Sequence, residues 1–191
     1  MGLFDSVFGR RKAVPPDLDQ LFAIPSAALT LEASLGLRPT GVGSVAFRPP
    51  EGRAFAELQS DVRALLDADA GPAVELTPDS FGYTWLVVRT DPPDVSALVT
   101  DLHAVNVSLQ DSGFGPTLLC SLVGFVGADG RRLGLVYLFK QGTFYPFAPD
   151  VSGAERRDNI LELQVRDELG SDLRIEPELA RWFAVWGAPG C

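Results

Sequence analysis

The chain has 191 residues, 46% of them hydrophobic and 21% charged, so it is long enough to bury its own core and too apolar to be disordered throughout. Its net charge of −9 argues against a general nucleic-acid binder, because phosphate contacts are made by Lys and Arg. No run of about 18 apolar residues reads as a membrane span, and two cysteines with no signal peptide do not make a disulfide framework.

The opening places Leu3, Phe4, Val7 and Phe8 on one face at helical spacing, and Arg10, Arg11 and Lys12 follow at once. Aromatic residues beside cations are the pattern of a short helix lying on an anionic membrane surface or on a partner. The competing reading is a tail that frays or docks on its own domain. A secretory signal is not indicated, because the charges follow a short apolar run. Residues 1–14 are therefore set apart as an amphipathic tail, and residues 15–191, which no linker divides, as one α+β domain.

Pro15 and Pro16 close the tail, and Asp17 to Phe22 reads as one helical turn. Leu31, Ala33, Leu35 and Leu37 alternate with Thr30, Glu32, Ser34 and Gly36, which predicts a half-buried strand. A competing reading has Ser26 cap a helix that ends at Gly36. Pro39-Thr40-Gly41 is turn chemistry, and Val42 to Arg48 reads as the returning strand. Ala54 to Asp69 predicts a helix on Phe55, Leu58, Val62, Leu65 and Leu66. Val74 to Leu76 and Tyr83 to Arg89 predict a second hairpin, the latter rich in β-branched and aromatic residues.

Val95 to Leu109 carries Val95, Leu98, Val99, Leu102 and Leu109 on one helical face, with Gly113 and Gly115 beyond its end. Thr117 to Phe125 and Arg132 to Phe139 predict a hairpin through Asp129-Gly130, and Gly142 to Phe147 a further extended segment. Glu155 to Leu169 predicts a helix on Leu161, Val165 and Leu169, with an alternating Leu161–Val165 strand as competitor. Pro177 to Trp182 reads as a short terminal helix. The expected fold is α+β: an antiparallel sheet of about six strands built from three hairpin–helix units, with helices covering one face.

Reactive side chains are scarce. His103 is the single histidine, at the edge of a helix's apolar face, and reads as structural. Cys120 lies in an apolar run and reads as a buried small hydrophobe rather than a nucleophile paired with His103. One His and two Cys scattered along the chain make no zinc site, and no phosphate-binding loop is present. Glu162 and Asp167 read as a solvated acidic face rather than an acid–base pair. Asn106-Val107-Ser108 fits a glycosylation pattern but lies within a predicted helix. No catalytic residue, metal or cofactor is expected. The segment Lys140 to Phe147 supplies Phe144, Tyr145 and Phe147 near Arg156 and Arg157, and Trp182 and Trp186 follow. Aromatics with Arg dominate protein–protein hot spots, so these seven residues are a candidate partner surface. The competing reading has the rings cap the edge of the core.

Several stretches together resemble a known family. Leu37 to Gly41, Phe81 to Val88, Val99 to Asn106, Gly142 to Phe147, Ala180 to Trp182 and Val185 to Gly190, with the Gly2-Leu3-Phe4 start, are similar to the actinobacterial PspA-associated family PspAB over nearly the whole chain. The resemblance implies an accessory, non-enzymatic role in envelope, phage-shock-type stress response. It also implies a partner among PspA-type or PspAA-type proteins or an HtpX-type membrane protease. It brings no catalytic residues. The location expected is cytoplasmic, with peripheral contact at the inner face of the membrane and no nucleic-acid partner. The alternative is a small-molecule or peptide-binding module with at most weak hydrolytic activity.

Overall fold

The computed structural model describes residues 16–48, 74–152 and 155–191, together with helical positions at Glu57, Ser60 and Ala64. Residues 1–12, with the apolar face and cations read there, lie outside the described residues. So does most of the helix predicted over 54–69, of which those three positions are helical.

Six strands form one antiparallel sheet in the order β2-β3-β1-β4-β5-β6. They are β1 (Leu37–Phe47), β2 (Glu75–Pro78), β3 (Thr84–Arg89), β4 (Leu118–Gly127), β5 (Arg132–Leu138) and β6 (Thr143–Phe147). The described helices are α1 (Ile24–Leu35), α2 (Val95–Leu109) and α3 (Asn159–Leu169), with 3₁₀ turns at Leu18–Ala23 and Leu179–Arg181. The α+β class and the six-stranded antiparallel sheet expected from the sequence are those observed. Hairpins β2–β3 and β4–β5 match the predicted pairings, and β6 adds to β5 with Val136 opposite Tyr145. The long β1 lies between β3 and β4, and the β3-to-β4 connection passes over it through α2.

The first hairpin is corrected. The Leu31–Leu37 stretch is helix as far as Leu35, because Ile24, Ala27, Ala28 and Leu31 recur at helical spacing and bury together. The competing reading had the right stop, Gly36, but the wrong start. The helix continues directly from the 3₁₀ turn at Ala23, with Pro25 in its first turn, so Ser26 does not cap it. Pro39-Thr40-Gly41 is no turn either. The strand runs through it with a shift in register between Pro39 and Gly43, a bulge of the kind that twists a strand. Gly41 adopts φ +75°, and a Cβ there would sit 2.5 Å from the Thr90 carbonyl oxygen, so only glycine fits where β1 passes that loop.

Both faces of the sheet are covered, by different means. Val45, Phe47, Leu86, Val88, Val123, Phe125, Leu135, Tyr137 and Phe144 pack against α1, α2 and α3 in one cluster. Ala46, Trp85, Val87, Cys120, Leu122, Val136, Tyr145 and Phe147 point the other way, as strand alternation requires. No described helix covers them; the C-terminal segment does, through Trp182, Val185, Trp186, Ala188 and Cys191. That segment is fixed by Tyr145 Oη donating to the Phe183 carbonyl (3.0 Å) and Ser44 Oγ donating to the Pro189 carbonyl (3.0 Å). A Cβ on Gly124 would collide with the Gly190 carbonyl, so the close passage of the C-terminal segment over the sheet at this point depends on that glycine.

α2 begins at Asp94, whose Oδ1 accepts from the N–H groups of Ser96 (2.9 Å) and Ala97 (3.0 Å). Asn106 on this helix is buried and donates to the Leu102 carbonyl (2.8 Å) and Ser121 Oγ (2.9 Å). Its side chain is a tie between helix and sheet, inaccessible to a glycan. α3 begins at Asp158, whose carboxylate accepts from Leu161 N–H. Among the described residues no helix is long and apolar enough to cross a membrane.

Candidate functional site

The described residues do not cover the second face of the sheet completely. Where the C-terminal segment stops short of the β2–β3 turn, a groove of about 970 Å³ remains. Its floor is made of strand residues, among them Ala46, Trp85, Leu119, Cys120, Leu138 and Tyr145. The β2–β3 connection contributes Asp79, Phe81 and Tyr83, and the C-terminal segment contributes Arg181 and Phe183 to Trp186. Pro116 and Thr117 from one loop, and Lys140 and Gln141 from another, complete the lining with Arg48.

Asp79 builds one side of it. Its Oδ1 accepts from the N–H groups of Phe81 (2.8 Å) and Tyr83 (2.9 Å), the side-chain turn that Asp favours. Its Oδ2 accepts from the Trp85 indole N–H at 3.0 Å. One carboxylate thus closes the turn, orients the floor tryptophan and leaves Phe81 standing 55% exposed. Across the groove, Phe183 is 61% exposed while its neighbour Trp182 is buried. Arg48 lies over the Tyr83 ring, 5.2 Å from its centre.

The candidate partner residues divide. Phe144, Tyr145 and Phe147 are at most 1% exposed, and Trp182 is 7% exposed. β6 is buried on both faces, so its aromatics in either phase turn inward and have no surface to offer. Trp182 stacks on Tyr145 with ring centres 6.1 Å apart and donates its indole N–H to the Glu176 carbonyl. Arg157 is an internal tie: it donates to Glu162 Oε1 (2.8 Å) and to the Trp182 carbonyl, and lies over the Phe147 ring. Arg156 is exposed and pairs with Asp150 at 2.9 Å. Hydrogen bonds from Ser152, followed by those from Arg156, hold the Asp150 carboxyl down at about 2. Of the seven residues, Trp186 alone lines the groove with an accessible side chain. Sequence reasoning passed over Phe81, Tyr83, Lys140, Arg181 and Phe183. The available signal was a phenylalanine beside a turn glycine, Phe81-Gly82, where no core position explains an aromatic ring.

The reactive groups do not assemble. His103 is on α2, with its ring 4.8 Å from that of Phe22 and Nε2 3.4 Å from Asp19. It belongs to the helical side of the sheet, whereas Cys120 is on the opposite face. Burial pushes the Cys120 thiol up to about 12, far from the thiolate a nucleophile needs. Glu162 is buried with Arg157 and the Ala148 N–H, while Asp167 is exposed beside Arg166, so the two do not share a cleft. Among the described residues no three His, Cys, Asp or Glu side chains come together to hold a metal ion.

Comparison with known proteins gives a match to a family model. The family model described as PspAB, PspA associated protein B, matches residues 1–190. No curated protein and no solved structure matches the chain.

Proposed function

Because the chain belongs to the PspA associated protein B family, we propose that it is a non-enzymatic accessory protein of bacterial envelope, phage-shock-type stress response, working by contact with a PspA-type protein. The family match, which spans residues 1–190 and is described by association with PspA, carries this reading. The disposition of reactive side chains supports it. Cys120 and His103 are separated by the sheet, and the buried Glu162 and Glu176 are occupied by Arg157, Arg181 and Thr143. A PspAA-type protein or an HtpX-type protease is a further candidate partner in the same role. Leu3, Phe4, Val7 and Phe8, followed by Arg10, Arg11 and Lys12, would bring the protein to the inner face of an anionic membrane.

The test is capture of purified PspA-type, PspAA-type and HtpX-type proteins from the same host on the immobilised full chain. Vesicle flotation with and without residues 1–12 accompanies it. Saturable binding to one of the three, and vesicle binding that depends on residues 1–12 and on anionic lipid, are expected. Failure to bind any of the three would remove the adaptor reading. Flotation unchanged by the truncation would remove the membrane contact. The groove favours one form of the alternative, a peptide-binding module, which is compatible with an adaptor.

A further inference from the structure

The groove reverses the electrostatic sign of the molecule around it. The chain carries a net charge of −9, yet among the described residues the groove is lined by Arg48, Lys140 and Arg181 against the single carboxylate of Asp79. Asp79 is already engaged by three N–H donors from its own turn and from Trp85. It therefore has little acceptor capacity left for a cationic ligand. Lys140 is exposed at the β5–β6 turn and has no ion pair among the described residues. Arg181 gives one nitrogen to Glu176 at 3.3 Å, and its side chain is 49% exposed, which leaves other donors of the guanidinium fork facing solvent.

Apolar surface accompanies this charge. Phe81 and Phe183 are the two most exposed phenylalanines described, and both line the groove with the half-buried Tyr83 and Trp186. Fully burying a Phe side chain contributes roughly 1.5–3 kcal/mol, so two rings left in water on one groove represent binding energy held for an occupant. Aromatic anchors beside arginine are the composition of an interface centre.

We propose that this groove binds an acidic peptide segment of a partner protein. An apolar or aromatic side chain of the segment seats between Phe81, Phe183 and Trp186, and a neighbouring Asp or Glu pairs with Arg181 or Lys140. The proposal rests on the adaptor reading and adds to it the chemistry that the partner must present. Single-stranded nucleic acid also stacks on aromatics beside cations. A polyanion is repelled at long range by a chain of this net charge, whereas one or two carboxylates gain the local pairs at much smaller cost.

The test is selection of random short peptides displayed on phage against the immobilised full chain, followed by titration of the enriched peptides by fluorescence anisotropy. The expected peptides carry an aromatic or large aliphatic residue flanked by Asp or Glu, and their affinity falls with rising salt. Phe183→Ser and Phe81→Ser, made separately at exposed positions, each weaken binding by about tenfold. Lys140→Glu weakens it and removes most of the salt dependence, with thermal midpoints unchanged. Enrichment of basic peptides, no enrichment, or affinities untouched by all three substitutions would overturn the proposal. So would tighter binding of single-stranded oligothymidylate or oligouridylate than of any peptide. The library contains no chosen partner. Success here with failure of PspA capture therefore sinks the partner and keeps the groove, and the reverse result sinks the groove alone.

Discussion

Cys120 is 7% exposed at the floor of the groove, beside Leu122 and Val136, and its chemistry follows from that position. Burial favours the neutral thiol and pushes it up to about 12; burial does the same to Cys191, and to Tyr137, whose hydroxyl donates to the Asp17 carbonyl. Each group has a folded pKa above its unfolded value and is neutral when protonated. In alkali the native state keeps protons that the unfolded chain releases. The stabilisation is therefore complete below the unfolded pKa values, about 8.5 for Cys and 10 for Tyr, and is lost as pH rises toward about 12. Urea midpoints should fall with increasing pH across that range, and Cys120→Ala should make the fall shallower. A slope identical in the variant would mean that the thiol is not held neutral by the fold. The sequence allowed this reading, because in Leu118-Leu119-Cys120-Ser121-Leu122 the cysteine's same-face neighbours two residues away, Leu118 and Leu122, are both apolar. It gave no such indication for Phe144, Tyr145 and Phe147, where the same aromatic content serves an interface or a core. Burial of a ring depends on what folds over it, not on its neighbours in sequence.

Elements with a strong period are where sequence and structure agree. α2 has the bounds expected of it, Val95–Leu109, because its apolar face, its Asp94 cap and its terminal glycines all give one answer. The cap makes a direct prediction. Asp94→Ala leaves the Ser96 and Ala97 N–H groups without their acceptor and should lower stability by about 1 kcal/mol, read from the urea midpoint. Asp94→Asn, which keeps a cap acceptor, should lose clearly less, and equal losses would show that the cap is not what matters there. The stretch from Leu31 to Gly41 was misread for a specific reason. Leu31, Ala33, Leu35 and Leu37 alternate by chance where a helix hands over to a strand, and the helical repeat that decides the matter begins upstream at Ile24. Pro39-Thr40-Gly41 uses the same residue types for a bulge as for a turn. What separates the two is a neighbouring strand on each side, β3 and β4, and local sequence does not contain them.

At the scale of the molecule, the second face of the sheet depends on a segment with little regular structure. Trp182, Val185, Trp186, Ala188 and Cys191 cover strand residues that would otherwise lie in water. Removal of residues 182–191 should expose Trp85, Tyr145 and Phe147, lower the unfolding midpoint and create binding sites for a hydrophobic dye. A truncated chain with an unchanged midpoint and no dye binding would show that the sheet does not need this cover. By itself the sequence determined the class, the strand count, the hairpins with strong turn chemistry, the helix with a clear apolar face over Val95–Leu109 and the poverty of reactive groups. These are local or compositional properties, fixed by period, turn residues and the inventory of side chains. Tertiary structure alone decided three things: that β1 is central, that the aromatic segment of β6 is interior, and that Asp79, Phe81, Lys140, Arg181 and Phe183 meet around one groove. Residues far apart in the chain become neighbours only through strand order and the return of the C-terminus across the sheet, and neither leaves a periodic trace in the sequence.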